Sequence, residues 1–227
     1  MVHSLHSYFL RSGDPSVPIL YEVDRIRDGR SFTTRRVVAI QHGEAIFNLQ
    51  ASFHAHERGL DHQLPMPAAA RPEDLPTFWE RMAPYKERLG DYYDRPRPID
   101  VRHVNPPAFD RAEPQAPHQQ VWLRADGRLP DDPVLHTCIV TYASDMTLLD
   151  TTLRPHGLSG YDTEVQMASL DHAMWFHRPF RADEWLLYAQ TTASTSGARG
   201  LAYGSIFTED GAMVVSVVQE GLIRARR

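Results

Sequence analysis

The 227-residue sequence has one cysteine, Cys138, so an internal disulfide and a cysteine-built zinc site are both excluded, a usage that suits a reducing compartment. No stretch approaches the roughly 18 consecutive apolar residues of a membrane span. Positive charge is not in excess, because 24 Lys and Arg stand against 29 Asp and Glu for a net charge of -5, and this gives no basic field for nucleic acid. Met1-Val2-His3-Ser4-Leu5 lacks the charged and apolar zones of a signal peptide, and Arg224-Ala225-Arg226-Arg227 is not a peroxisomal tripeptide, so a cytoplasmic chain is expected. There is no Gly-x-Ser-x-Gly elbow and no phosphate-cradling glycine loop. The 12 histidines never fall in a His-Glu-x-x-His spacing, so neither a metal nor a cofactor is expected.

What is present is an ordinary globular composition, 42% hydrophobic and 23% charged. Short β-type runs open the chain, at Leu5 to Leu10, Ile19 to Ile26, Phe32 to Ile40 and Ala45 to Phe53, with Asp28-Gly29 and His42-Gly43 where hairpin turns belong. Leu64 to Pro117 differs. Eleven of the 17 prolines lie there, including Pro65, Pro67, Pro96, Pro98, Pro106 and Pro107, which reads as a connector because proline removes ladder donors. Within it Phe78, Trp79, Met82 and Tyr85 recur at helical spacing, either as a packed linker helix or as an aromatic box.

A strand from Gln120 to Ala125 and a helix follow. Asp132 can cap that helix, Pro133 fits its first position, and Leu135, Cys138, Ile139, Tyr142, Met146 and Leu149 recur as a stripe for burial, with Cys138 in the core. The meander then returns at Val165 to Phe176, Glu184 to Thr191, Ala198 to Phe207 and Met213 to Ile223. The two halves echo each other at a spacing of about 167 residues: Ser4-Leu5 with Ser169-Leu170, Leu20-Tyr21 with Leu187-Tyr188, Arg35 roughly with Arg199, and Gly43 with Gly211. The organisation is thus a partial N-terminal module over 1–63, a connector over 64–118 and a C-terminal module over 119–227. Only the second copy has a strand and helix ahead of its meander. About sixty equivalent residues are expected upstream of Met1, or else a partner covers the bare sheet face.

Val2-His3-Ser4-Leu5-His6-Ser7-Tyr8-Phe9-Leu10, Met66-Pro67, Tyr142-Ala143-Ser144-Asp145, the run from Ser169 to His177 and Val218-Gln219-Glu220-Gly221 resemble the type II acyl-CoA thioesterases over nearly the whole chain. The resemblance implies an α+β double hot-dog, in which curved antiparallel sheets each wrap a helix, here with an incomplete N-terminal module. It implies hydrolysis of acyl-CoA to free fatty acid and CoA, association into homo-oligomers, and an attacking water held by Asp145, Ser169 and Gln219. The family carries Thr or Ser at this place, and Ser169 departs from the threonine version but keeps the hydroxyl.

The chemistry suits those residue types. An ionised carboxylate can take a proton from water while a hydroxyl and an amide fix that water's other hydrogen-bond sites. By helical geometry Asp145 sits at the edge of the apolar stripe, with its carboxylate toward the sheet. A thioester is electrophilic and its thiolate leaves readily, so no covalent intermediate is required. Substrate contacts are expected from Trp175, His177, Arg178 and Arg199, the aromatic side chains lining an acyl tunnel and the arginines meeting CoA phosphates; the same run also reads as a buried strand ending in a solvated loop. His172 reads as packing or channel wall. The alternative to turnover is a truncated double hot-dog that binds acyl-CoA without hydrolysing it.

Overall fold

The computed structural model describes residues 1–105, 113–160 and 165–225; Pro106, Pro107, Arg226 and Arg227 lie outside them. Eleven strands form one antiparallel sheet: β1 (Val2–Phe9), β2 (Leu20–Asp28), β3 (Phe32–Gln41), β4 (Glu44–His54), β5 (Ile99–His103), β6 (His118–Ala125), β7 (Val165–Ser169), β8 (Asp171–Phe176), β9 (Leu186–Ser196), β10 (Arg199–Thr208) and β11 (Met213–Ala225). Their order is β2-β3-β4-β1-β8-β11-β10-β9-β6-β5, with β7 also on β11. The expected strand at 165–176 is therefore two, because the chain breaks step at Leu170. The connector is also less irregular than its prolines suggest, since β5 lies within it and pairs with β6. Its helical pattern resolves into two short helices, α1 (Phe78–Met82) and α2 (Lys86–Leu89), separated by a 3-10 turn containing Pro84.

The two halves meet where β1 pairs with β8, Leu5 opposite Met174, so that β2-β3-β4-β1 mirrors β9-β10-β11-β8 across the join. The shift that carries Gly43 onto Gly211 matches the β3–β4 turn to the β10–β11 turn, and both glycines have positive φ, 78° and 92°. The same registers correct one echo read from the sequence. Leu5 corresponds to His172, two positions beyond Leu170, because the chain breaks step at Leu170 and spacing alone does not register that break.

β6 and the long helix α3 (Pro133–Ser144) have no counterpart in the first half among the described residues. Asp132 caps α3 by accepting from the Val134 N–H at 2.9 Å, and Pro133 occupies the first turn, as the sequence indicates. The face that α3 buries is not the expected one, and of the expected stripe only Leu149, beyond the helix end, is buried. His136, Val140, Ala143 and Ser144 are buried against the C-terminal sheet, whereas Cys138, Tyr142 and Met146 are exposed and Leu135 and Ile139 only half-buried. The side toward the sheet must be small where Met174 and Tyr188 rise to meet it, and the larger apolar stripe faces sideways over the first half.

That stripe and the inner face of β1 and β4 enclose an open apolar groove of about 830 Å³, lined by Leu5, Phe9, Leu49 and Phe53 on one wall and by Val134, Cys138 and Tyr142 on the other. Beyond it β2 is exposed along its whole length, with Leu20, Tyr21, Val23 and Ile26 uncovered. The main core lies between α3 and the C-terminal sheet and includes Val121, Leu148, Met174, Tyr188, Ile206 and Val215. A second cluster of Trp122, Trp185, Leu187 and Phe207 packs the outer face under the connector, where the Trp122 indole donates to the Ala70 carbonyl at 2.9 Å. No helix among the described residues is long and apolar enough to cross a membrane.

Candidate active site

Asp145 follows the last residue of α3 as its C-cap. A carboxylate there opposes the helix dipole, whose C-terminal end is negative, so stability does not account for it. Ser169 ends β7. Gln219 lies on β11 where that strand passes from its pairing with β8 (Val218 opposite Ala173) to its pairing with β7 (Gly221 opposite Ser169). In that gap the Leu170 N–H donates to the Glu220 carbonyl at 2.9 Å and the Glu220 N–H to the Asp171 carboxylate at 2.6 Å. A local disruption of a ladder is a common way to re-aim a side chain, and here it brings Ser169 beside Gln219.

The three side chains meet. The Ser169 hydroxyl donates to Asp145 Oδ1 at 3.3 Å, Gln219 Nε2 donates to Ser169 Oγ at 2.9 Å, and Nε2 also donates to Asp145 Oδ1. Both amide hydrogens of Gln219 are therefore spent on this pair. Asp145 Oδ2 has no hydrogen-bond partner among the described residues, and Asp145 lines the groove. The carboxylate meets the sheet, at Ser169 on β7 and Gln219 on β11, as helical geometry indicates, but the residue is exposed rather than partly buried, because the helix face beside it is the uncovered one. Gln219, by contrast, is fully buried and Ser169 half-buried.

Behind the trio lies a layer of which the sequence reading named only His172, as packing or channel wall, and missed Tyr188. The Tyr188 hydroxyl, fully buried, donates to the Ser144 carbonyl at 3.1 Å and so braces the end of α3 next to Asp145. Burial pushes the Tyr188 phenol well up, and the Asp145 charge pushes it further, so it stays a donor. His172 is buried with Nε2 2.8 Å from Ser144 Oγ, and its pKa is lowered mainly by that burial, with Asp145, Asp171 and Gln219 acting the other way. Its signal in the sequence was faint, a histidine in step with Met174 on the inner face of β8.

The four expected substrate contacts are not gathered at this centre. Trp175 and His177 alternate with His172 and Met174 and so point to the opposite face of β8; Trp175 meets the His6 ring edge-on at 5.1 Å, and His177 Nε2 lies 2.9 Å from Ser216 Oγ. Arg178 donates to the Met213 carbonyl at 2.7 Å and pairs with Asp61. Arg199 pairs with Glu220 at 2.9 Å. None of the four lines the groove.

The chain that builds this arrangement has known relatives. The acyl-CoA thioesterase family model matches residues 100–222, and the model of the acyl-CoA thioesterase N-terminal domain matches residues 1–54. The chain belongs to the acyl-CoA thioesterase family. It is 42% identical to acyl-coenzyme A thioesterase 8 of Rattus norvegicus over 99% of this chain and 73% of that protein, and 37% identical to acyl-CoA thioesterase 2 of Haemophilus influenzae over 99% of this chain and 80% of that protein. The crystal structure of acyl-CoA thioesterase II TesB2 from Mycobacterium marinum superposes with a TM-score of 0.83 at 48% identity, over 100% of this chain and 81% of that one. The fold is accordingly the double hot-dog, and this member of the family is a thioester hydrolase.

Proposed function

We propose that this acyl-CoA thioesterase hydrolyses its substrate to free fatty acid and CoA by direct attack of one water, which Asp145 deprotonates while Ser169 and Gln219 orient it. The observation that carries the reading is the convergence, on a single carboxylate oxygen, of side chains 24 and 74 residues away in sequence. Asp145 is the only carboxylate of the three, so it is the base; the Ser169 proton is already committed to it, which leaves the hydroxyl oriented as a water partner rather than activated as a nucleophile. The adjoining groove has the apolar lining that an acyl chain requires.

Mass spectrometry of the protein quenched during steady-state turnover tests the absence of a covalent intermediate. The expected spectrum holds unmodified chain only, and an acyl adduct on Ser169 overturns the direct-attack mechanism. Thiol release measured over a series of acyl-CoA chain lengths reads the turnover itself. The uncovered apolar residues and free edge of β2 also support association of copies into a homo-oligomer, and the compartment we propose is the cytoplasm.

A further inference from the structure

Two buried polar atoms behind Asp145 have no hydrogen-bond partner by strict geometry among the described residues: Nδ1 of His172 and Oε1 of Gln219. They belong to neighbours. The β8–β11 ladder steps from Phe176 opposite Val215 to Ala173 opposite Val218, and its next step sets His172 opposite Gln219. Directly opposed residues of an antiparallel pair project from the same face with their Cβ atoms about 5 Å apart. A buried polar atom left unpaired is costly, so a donor facing an acceptor here removes two penalties at once.

The direction of each bond follows from what the groups can do. Turning the Gln219 amide over would press its oxygen against the Asp145 carboxylate, so Nε2 faces Asp145 and Ser169, and Oε1 faces β8. That oxygen only accepts, and the ring atom meeting it must carry the proton, which makes His172 the Nδ1–H tautomer when neutral. Nε2 is then bare, and the Ser144 hydroxyl 2.8 Å away can donate to it. The Thr141 carbonyl, 2.9 Å from the same hydroxyl, is the competing acceptor for that proton.

We propose that His172 is a positioning residue of the hydrolytic centre: the Ser144 O–H fixes its tautomer, its Nδ1–H holds Gln219 Oε1, and the Gln219 amide is thereby locked with both hydrogens on Asp145 and Ser169. The proposal rests on the water-activating reading of those three residues. The influence of the Gln219 side chain, which favours the protonated ring against burial, is in keeping with N–H donation to an amide oxygen.

The test compares His172→Leu, His172→Asn, Gln219→Ala and the double variant His172→Leu/Gln219→Ala by thiol release on acyl-CoA, with melting curves for each. Asparagine places an N–H close to the position of Nδ1–H, and leucine removes it. His172→Leu is expected to lower kcat by about tenfold or more with KM within about twofold, His172→Asn to stay within about threefold of the parent, and the leucine change to cost less than about twofold in the Gln219→Ala background. Parental kcat in His172→Leu, equal losses for leucine and asparagine, or additive losses in the double variant overturn the proposal. Should His172→Leu not fold, Ser144→Ala takes its place: without the hydroxyl donor the ring can change tautomer, and kcat falls several-fold at an unchanged melting temperature, whereas parental kcat overturns the proposal. If Gln219→Ala and Asp145→Asn both retain parental turnover, the water-activating reading itself has failed; a crippled Gln219→Ala beside an unaffected His172→Leu removes the role of His172 alone.

Discussion

Asp145→Asn separates catalysis from stability at one atom. The asparagine keeps the shape of the side chain and an oxygen that Ser169 and Gln219 can still donate to, but that oxygen has almost no affinity for a proton. A positioned general base is worth about 10² to 10⁴ in rate, or about 2.7 to 5.4 kcal/mol of barrier, and kcat should fall by that factor. Stability should hardly move. Removing a negative charge from a helix C-terminus contributes about 0.3–1 kcal/mol, while weakening two hydrogen bonds at an exposed carboxylate costs a similar amount, so the net lies within about 1 kcal/mol and the melting temperature within about 4 °C. Thiol release from acyl-CoA gives kcat and calorimetry the melting temperature. A variant that turns over within threefold of the parent refutes Asp145 as base, and one that loses activity and about 10 °C together shows that the residue serves folding instead.

Gly204→Ala would set a Cβ 2.2 Å from the ring of Tyr188, and the phenol that braces the end of α3 would have to move. We expect a loss of about 1–3 kcal/mol by chemical denaturation together with a drop in kcat, because both depend on the same ring. His3, His172 and His177 all have pKa values held below the usual imidazole range, with burial the leading cause in each. The unfolded chain therefore binds more protons than the folded one as pH drops below about 6.5, so stability is full above that pH and is lost as pH falls through the lowered values. Melting temperature measured from pH 8 to pH 5 should decline only below about 6.5, and His172→Asn should flatten the decline; a flat parental curve contradicts the burial argument. Leu49→Trp should narrow the groove and reduce kcat/KM for long acyl-CoA substrates more than for short ones, and equal reductions would place the acyl chain elsewhere.

The strands and the long helix were legible because their signals are local: alternation, turn glycines, and an aspartate and proline at the helix start. Asp145, Ser169 and Gln219 were legible as a set only through the family motifs. Nothing in the spacing of three polar residues reveals that a ladder gap at Leu170 will bring two of them beside a helix end. The buried face of α3 was misread for a related reason. Periodicity reports that a stripe is apolar, not which surface it meets, and here Cys138, Tyr142 and Met146 face the groove while the smaller His136, Val140, Ala143 and Ser144 side packs on the sheet. The strand β5 was hidden by the proline-rich composition around it.

The mirrored halves explain why the trio of Asp145, Ser169 and Gln219 has no second copy among the described residues. The shift that carries Gly43 onto Gly211 carries Ala51 onto Gln219, and the shift that carries Leu20 onto Leu187 carries Leu5 onto His172. In the first half Leu5 and Ala51 are a direct cross-strand pair, both buried in the apolar core, at the place where the second half sets an imidazole against an amide. A buried polar pair is tolerable only where every member finds a partner, and His172 and Gln219 find theirs in Ser144, Ser169 and Asp145, which come from the end of α3 and from the broken strand. Among the described residues no such helix end lies over β1 and β4, so a histidine and glutamine there would be left unsatisfied at a cost of several kcal/mol. Leucine and alanine carry no such requirement. The first half consequently supplies an apolar wall, and Asp145, Ser169 and Gln219, the proposed hydrolytic trio, assemble only where a helix terminus, a ladder break and a buried amide coincide.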